Sequence, residues 1–112
     1  MTSLMGIGFY QFDNLIKNRV PFVLISYGVD FKNFDTGIFQ NHLEKQLVLI
    51  EPKETFDYVK KQNFSLEQSF ILVCTDGNLS QKNALKLEKM GYKNVFFING
   101  GYQNLLKERD EY

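Results

Sequence analysis

The residue best able to do chemistry is Cys74, the only cysteine among 112 residues. It follows the apolar run 70–73, which is typical of a buried strand, and precedes a helical pattern that begins at Ser80. The backbone N–H groups of such a loop, and of the first helical turn, have no partner within the helix and favour an anion. A thiol in this setting can react as a thiolate, so Cys74 is the candidate nucleophile.

The loop after Cys74 has the residues expected of an anion cradle. Gly77 permits a tight turn that directs backbone amides inward, and Ser80 is predicted to cap the following helix. Asp76, in contrast, brings a carboxylate beside the thiol, which disfavours a thiolate and repels an anionic donor. From spacing alone the alternative stays open that Cys74 is an inert, buried cysteine, because such residues are common at strand ends.

The elements that position this loop are predicted from the apolar pattern. Continuous apolar runs indicate strands covered on both faces, as in a parallel sheet, over 22–25, 47–50, 70–73 and 95–98. Apolar residues at three- and four-residue spacing predict helices over 12–18, 54–62, 80–90 and 102–109. Residues 27–41 are predicted as loop or irregular structure. Strands that alternate with helices predict an α/β fold, a small and mostly parallel sheet with helices on both faces.

The segment 80–90 has the clearest helical pattern in the chain. Four apolar residues are predicted to share its buried face: Ala84, Leu85, Leu87 and Met90. Gly91 is predicted to end the helix at the C′ position, and residues 99–101 to form a turn before the last helix.

Composition and charge limit the classes of protein to which this chain can belong. We expect one domain over 1–112, with 44% apolar residues to form its core. Thirteen basic residues balance thirteen acidic ones without a dense basic run, so nucleic acid is not expected as a partner. The longest apolar run, 20–25, is far shorter than the roughly 20 residues that span a bilayer. No membrane association and a cytoplasmic location, where a lone thiol stays reduced, are therefore expected.

The chain resembles the rhodanese family from its cysteine onward. In that family the loop reads Cys-x-x-Gly-x-x-Ser and is followed by a Leu-rich helix, Gly-Tyr, a strand and a Gly-Gly turn. The matching residues here are Cys74–Ser80, Gly91–Tyr92 and Gly100–Gly101. Pro21–Ile25 is similar to the family's first core strand, and His42–Leu43 to its Gly-His-Ile segment.

The resemblance implies a rhodanese-like fold and sulfurtransferase activity. Cys74 would take a sulfane sulfur from thiosulfate or from a small or protein persulfide, and would pass it to a thiol or to cyanide. The substrate-binding loop would consist of Thr75, Asp76, Gly77, Asn78, Leu79 and Ser80. No cofactor and no metal are implied, and the oligomeric state does not follow.

Some positions differ from the family pattern. Thr75 and Leu79 stand where many members have a loop arginine, and residues 26–28 read Ser-Tyr-Gly where Asp-x-Arg is usual. These differences favour a persulfide over a small dianion as the donor. They also leave a second function open, a weakly active or inactive rhodanese module that binds a partner or senses redox state.

Two further functional assignments are disfavoured. A cysteine phosphatase needs an arginine six positions after the cysteine to clamp a phosphate dianion, and Ser80 stands there. His42, the only histidine, is expected to be structural rather than a base, and Lys82 is expected to be a solvated helix lysine.

Overall fold

The computed structural model describes residues 5–32, 34 and 37–111. Its strands are β1 (Gly6–Ile7), β2 (Val23–Ser26), β3 (Leu47–Leu49), β4 (Ser69–Val73) and β5 (Asn94–Ile98). Its helices are α1 (Phe9–Lys17), α2 (Phe39–Gln46), α3 (Thr55–Gln62), α4 (Asn78–Lys89) and α5 (Gly101–Asp110). One turn of 3-10 helix, Pro52–Glu54, leads into α3.

The strands form a sheet in the order β1-β5-β4-β2-β3, and all of its pairings are parallel. Side chains alternate between its faces, so Leu24 and Ile71 pack against α1, α2 and α5, while Ile25 and Leu72 pack against α3 and α4. All four of these side chains are buried. The predicted α/β fold with helices on both faces is confirmed, and the sheet is parallel throughout the described strands.

The sheet grows in opposite directions from β2 and β4, because β3 is added beside β2 and β5 is added beside β4. The chain leaves β2 through α2 on one face of the sheet, and leaves β4 through α4 on the other face. The loops that follow these two neighbouring strands therefore diverge. Such a divergence opens a crevice at the carboxyl edge of a parallel sheet, which is where ligands of open α/β folds bind.

Two elements are absent from the sequence predictions. α2 begins at Phe39, inside the segment 27–41 that the pattern predicts as irregular, and Leu43 is its one fully covered residue. β1 has only two residues and owes its strand conformation to pairing with β5. Neither element has enough periodic sequence to be recognised locally. Tertiary contacts hold both of them in place.

Two predictions of burial are wrong. The apolar run 47–50 predicts a strand covered on both faces, but β3 is an edge strand and Leu49 is 51% exposed. Met90, predicted on the buried face of α4, is 42% exposed, whereas Ala84 and Leu87 are fully covered. Gly91 does follow the helix end, with a φ of +106° and its N–H donated to a carbonyl of the last turn.

Over the ranges that the structure describes, no helix is both long enough and apolar enough to cross a membrane.

Candidate active site

Cys74 lies directly after β4, at the carboxyl edge of the sheet and beside the crevice. Its Sγ accepts the backbone N–H of Gly77 at 3.2 Å and that of Ser80 at 3.4 Å. The thiol also lies 3.4 Å from the Ser80 hydroxyl. Cys74 is buried, with only 5% of the residue exposed. The loop and the first turn of α4 thus direct donors at this one atom, an arrangement that stabilises an anion.

The helix after Cys74 begins earlier than the sequence predicts, which changes the roles of Gly77 and Ser80. Gly77, with a φ of +91°, is the residue that precedes the helix, so α4 begins two residues before Ser80. Ser80 is therefore inside the first turn and is not the cap, which corrects the prediction. Its buried hydroxyl donates to the carbonyl of Gly77 at 3.3 Å and faces Cys74.

Asp76 lies beside the thiol, with Oδ1 3.7 Å from the Cys74 Sγ. The same oxygen accepts the backbone N–H of Asn78 at 3.0 Å, and Oδ2 accepts the Asn78 side-chain amide at 3.3 Å. The backbone N–H of Asn78 is the main reason why the pKa of Asp76 is lowered from its ordinary value. Asp76 is therefore a carboxylate at neutral pH, held in a short turn.

The last two predicted loop residues, Thr75 and Leu79, are exposed and line the mouth of the site. The structure thus brings Gly77, Ser80 and Asp76 to the sulfur. Asn78 is engaged with Asp76.

The Gly100–Gly101 turn packs against the backbone of the Cys74 loop. Gly101 has a φ of +74°, and a Cβ at this position would lie 2.4 Å from the backbone nitrogen of Gly77. The N–H of Tyr102, in the first turn of α5, donates to the carbonyl of Cys74 at 2.8 Å. The turn therefore has a structural role, because only glycine lets the two backbones approach this closely.

A cleft of about 370 Å³ opens over Cys74. Besides the Cys74 loop, its walls come from the residues that follow β2 and β3: Tyr27, Gly28, Ile50, Glu51 and Pro52. None of these five residues was among the predicted site residues. Their signal in the sequence is their position at the end of a predicted parallel strand or shortly after it, because the carboxyl ends of neighbouring strands meet at one edge.

Tyr27 anchors the wall on the β2 side through buried hydrogen bonds. Its phenol oxygen lies 2.6 Å from the Thr55 hydroxyl and accepts an N–H from Asn83 at 2.9 Å. The Asn83 amide also donates to the carbonyl of Pro52 at 3.3 Å, and the Tyr27 N–H to that of Val73 at 2.9 Å. Burial raises the pKa of Tyr27, so its phenol is neutral at physiological pH. The network ties α3, α4 and the β2 loop together.

His42 lies at the opposite end of the sheet from Cys74. Its Nε2 is 3.3 Å from the carbonyl of Val20, and its ring packs edge-on against Phe22. Both residues precede β2, whereas Cys74 follows β4, and the two strands are parallel. The expected structural role of His42 agrees with these contacts. Lys82 is exposed on α4.

Two curated proteins similar to this chain are named tRNA uridine(34) hydroxylase. The one from Bdellovibrio bacteriovorus is 27% identical over 99 residues, covering 88% of this chain and 27% of its own length. The one from Neorickettsia sennetsu is 29% identical over 86 residues, covering 67% of this chain and 30% of its own length. The chain therefore spans less than a third of the length of these relatives.

Solved structures share the fold at low sequence identity. SSP1007 from Staphylococcus saprophyticus superposes with a TM-score of 0.64 at 15% identity, covering 89% of this chain and 91% of that one. An uncharacterized protein from Saccharomyces cerevisiae gives a TM-score of 0.63 at 9% identity, covering 98% and 97%. The family model for the rhodanese-like domain matches residues 29–108, which include the Cys74 loop. The resemblance seen in the sequence is confirmed, and the chain belongs to the rhodanese-like domain family.

Proposed function

We propose that this domain is a sulfurtransferase or persulfide carrier in which Cys74 holds the transferred sulfur. The observation that carries the proposal is the pair of backbone N–H groups, from Gly77 and Ser80, directed at the Cys74 Sγ in a rhodanese-like domain. The donor is thiosulfate or a persulfide, small or protein-borne, and the acceptor is a thiol or cyanide.

The reaction divides into two displacements at sulfur. The Cys74 thiolate attacks the outer sulfur of the donor, whose S–S bond breaks with its electron pair leaving on sulfite or on the donor thiolate. A Cys74 persulfide results. An acceptor thiolate or cyanide then attacks the outer sulfur, and the electron pair of the broken bond returns to Cys74. No external oxidant is needed, because the sulfane sulfur brings its oxidation state with it. Covalent catalysis thus splits one transfer into two easier steps.

The loop amides support this chemistry because they face the Cys74 Sγ, which carries the negative charge as a thiolate before the first displacement and again after the second. The backbone N–H groups of Gly77 and Ser80 are already oriented by the turn and by α4, so they need no reorganisation as the charge moves. Hydroxylation of tRNA is named for relatives more than three times as long as the matched segment. We therefore confine the proposal to the chemistry of the Cys74 loop.

The test is intact-protein mass spectrometry after incubation with thiosulfate and, separately, with glutathione persulfide. The wild-type chain should gain one sulfur atom, and cyanide should remove it as thiocyanate. Cys74→Ser keeps the size of the side chain and should gain none. Absence of any gain, while Cys74 still reacts with iodoacetamide, would contradict the proposal.

A second candidate is a non-catalytic rhodanese module for partner binding or redox sensing. The observation that favours it is the Asp76 carboxylate 3.7 Å from a thiol that is only 5% exposed. A like charge disfavours both a thiolate and an anionic donor. Retention of the cellular role by Cys74→Ser would support partner binding, whereas loss of that role would support a role of the thiol in sulfur transfer or redox sensing.

A further inference from the structure

Among the described residues, the two charged side chains that line the Cys74 cleft are both carboxylates. Glu51 follows β3 and Asp76 follows β4, so they reach the cleft from either side of β2. Among the described residues that line it, none is Lys, Arg or His. At position 28, where the family usually has an arginine, Gly28 borders open space, with no atom within 4 Å of where a Cβ would be.

The protonation of the lining groups keeps the cleft negative. The hydrogen bond from the Asn78 backbone lowers the pKa of Asp76, and burial raises the pKa of Tyr27. At neutral pH, Asp76 is therefore charged and the phenol neutral. The neighbouring lysines, Lys53 and Lys61, line a second cleft beside α3, which shares Ile50 with the Cys74 cleft and also contains Glu54 and Asp57.

The cleft also has apolar wall residues, beside the polar Thr75 and Tyr27. These are Ile50, Pro52 and Leu79, and the apolar side chain of Leu79 is 49% exposed. A ligand whose methylene groups end in a cation suits a cleft with apolar and acidic walls, because the methylene groups cover the apolar surface while the cation faces the carboxylates. A hydrated dianion such as thiosulfate gains nothing from the apolar wall and is repelled by both carboxylates.

We propose that Glu51 and Asp76 select donors and acceptors that carry a positive charge close to the reacting sulfur. The chemical class is an aminothiol or its persulfide, either as a small molecule or as a cysteine flanked by lysine or arginine in a polypeptide. The inference rests on the sulfur transfer proposed above and names the substrate charge for that same site.

Charge selection is measured first by covalent labelling of Cys74, which needs no sulfur transfer. Two methanethiosulfonates are compared, one ending in an ammonium group and one in a sulfonate, and each rate is divided by the rate with a small free thiol. The corrected ratio should favour the ammonium reagent. Glu51→Gln and Asp76→Asn remove the charge at nearly constant size, and the asparagine oxygen can still accept the backbone N–H of Asn78. Each should lower the ratio about threefold, as expected for an exposed charge.

The double variant should lower the ratio about tenfold, since the two carboxylates act on one ligand charge. Asp57→Asn removes the same charge from the neighbouring cleft and should leave the ratio within experimental error of the wild type. Leu79→Arg, which adds a cation at the mouth, should shift the preference toward the sulfonate reagent. The wild-type preference should also shrink in about 1 M salt, where the Debye length falls to about 3 Å.

Sulfur transfer is then measured with acceptors of opposite charge. Cys74 is loaded with inorganic polysulfide and discharged by cysteamine or by 3-mercaptopropionate, and by a short peptide whose cysteine is flanked by lysines or by glutamates. The cationic member of each pair should discharge faster in the wild type, and the double variant should reduce that advantage about tenfold. The pair with the larger advantage identifies a small-molecule or a polypeptide source.

The two proposals fail separately. If Cys74 takes up no sulfur but the labelling ratio still depends on Glu51 and Asp76, the proposed sulfur transfer is refuted, and only the preference of the cleft for cationic reagents stands. If Cys74 takes up sulfur but the ratios are equal in the wild type and the double variant, charge selection is overturned.

Discussion

Tyr27 presents a neutral, hydrogen-bonded phenol to the cleft at the end of β2. Its hydroxyl is shared between Thr55 and Asn83, which belong to different helices. Buried polar groups that lose a partner cost more than the hydrogen bond itself is worth, because desolvation is left uncompensated. At the scale of single residues, this side chain therefore links the stability of the fold to the shape of the site.

Tyr27→Phe should lower the free energy of unfolding by about 1–3 kcal/mol, because Thr55 and Asn83 each lose a buried partner. Urea denaturation measures the loss. Tyr92→Phe keeps the ring contact with Phe70 and should change stability by less than about 0.5 kcal/mol. Equal losses in both variants would contradict the role of the network.

Tyr27→Phe should also change how the stability of the fold depends on pH. Burial raises the pKa of Tyr27 in the folded state above its ordinary value of 10.0. Its contribution to stability is therefore fully present below pH 10 and is lost as the pH rises from there through the folded pKa, since the unfolded chain gives up the proton first. Between pH 9 and 11, wild-type stability should fall more steeply than that of Tyr27→Phe. Parallel curves would contradict this assignment.

At the scale of elements, the Cys74 loop and the Gly100–Gly101 turn are packed backbone to backbone. A Cβ on Gly101 would lie 2.4 Å from the Gly77 nitrogen and from the Thr75 oxygen. These are backbone atoms of the loop that surrounds the sulfur, and they cannot rotate away as a flexible side chain would. The start of α5 therefore determines where the loop amides point.

Gly101→Ala should destabilise the protein by about 3 kcal/mol or more, because steric overlap adds to the cost of a positive φ. Gly28→Ala is the matched control: its φ is +82°, but nothing lies within 4 Å of its Cβ position. It should cost only about 1–2 kcal/mol. Urea midpoints at equal m-value compare the two, and the same cost for both would show that the turn does not buttress the loop.

At the scale of the molecule, the sheet separates two cores. Phe12, Phe31 and Phe34 form an aromatic cluster on the face of α1 and α5, and Phe64 and Phe70 form another on the face of α3 and α4. A parallel sheet is stable only when both faces are covered. Both cores are therefore needed to stabilise the sheet that bears the cleft, although Cys74 packs only in the core on the face of α3 and α4.

Phe12→Ala should cost about 3–5 kcal/mol, the usual range for a fully buried phenylalanine. Ile38→Ala, at a residue that is 68% exposed, should change stability by less than about 0.5 kcal/mol. Thermal and urea unfolding provide the comparison. A small loss for Phe12→Ala would mean that the α1 face is not part of the cooperative core.

The sequence alone determined the strand at 70–73, a loop that begins at Cys74 and turns at Gly77, and a helix after it, although that helix begins at Asn78, two residues earlier than predicted. These features are local: continuous apolar residues specify a covered strand, and Gly77 with the unpaired amides of a helix start specifies an anion-binding turn. The family resemblance rested on the same segment, and the match over 29–108 bears it out.

Only the tertiary structure decided which residues face Cys74. Strand order brings Glu51, from the loop after β3, into the same cleft as Asp76, and a hydrogen bond spanning 56 residues joins Tyr27 to Asn83. The edge position of β3 and the formation of α2 likewise depend on pairing and packing between distant segments. Local patterns indicate where strands and helices form, but not which distant residues lie beside them. The sequence therefore located the thiol, and the fold decided the charge of the cleft around it.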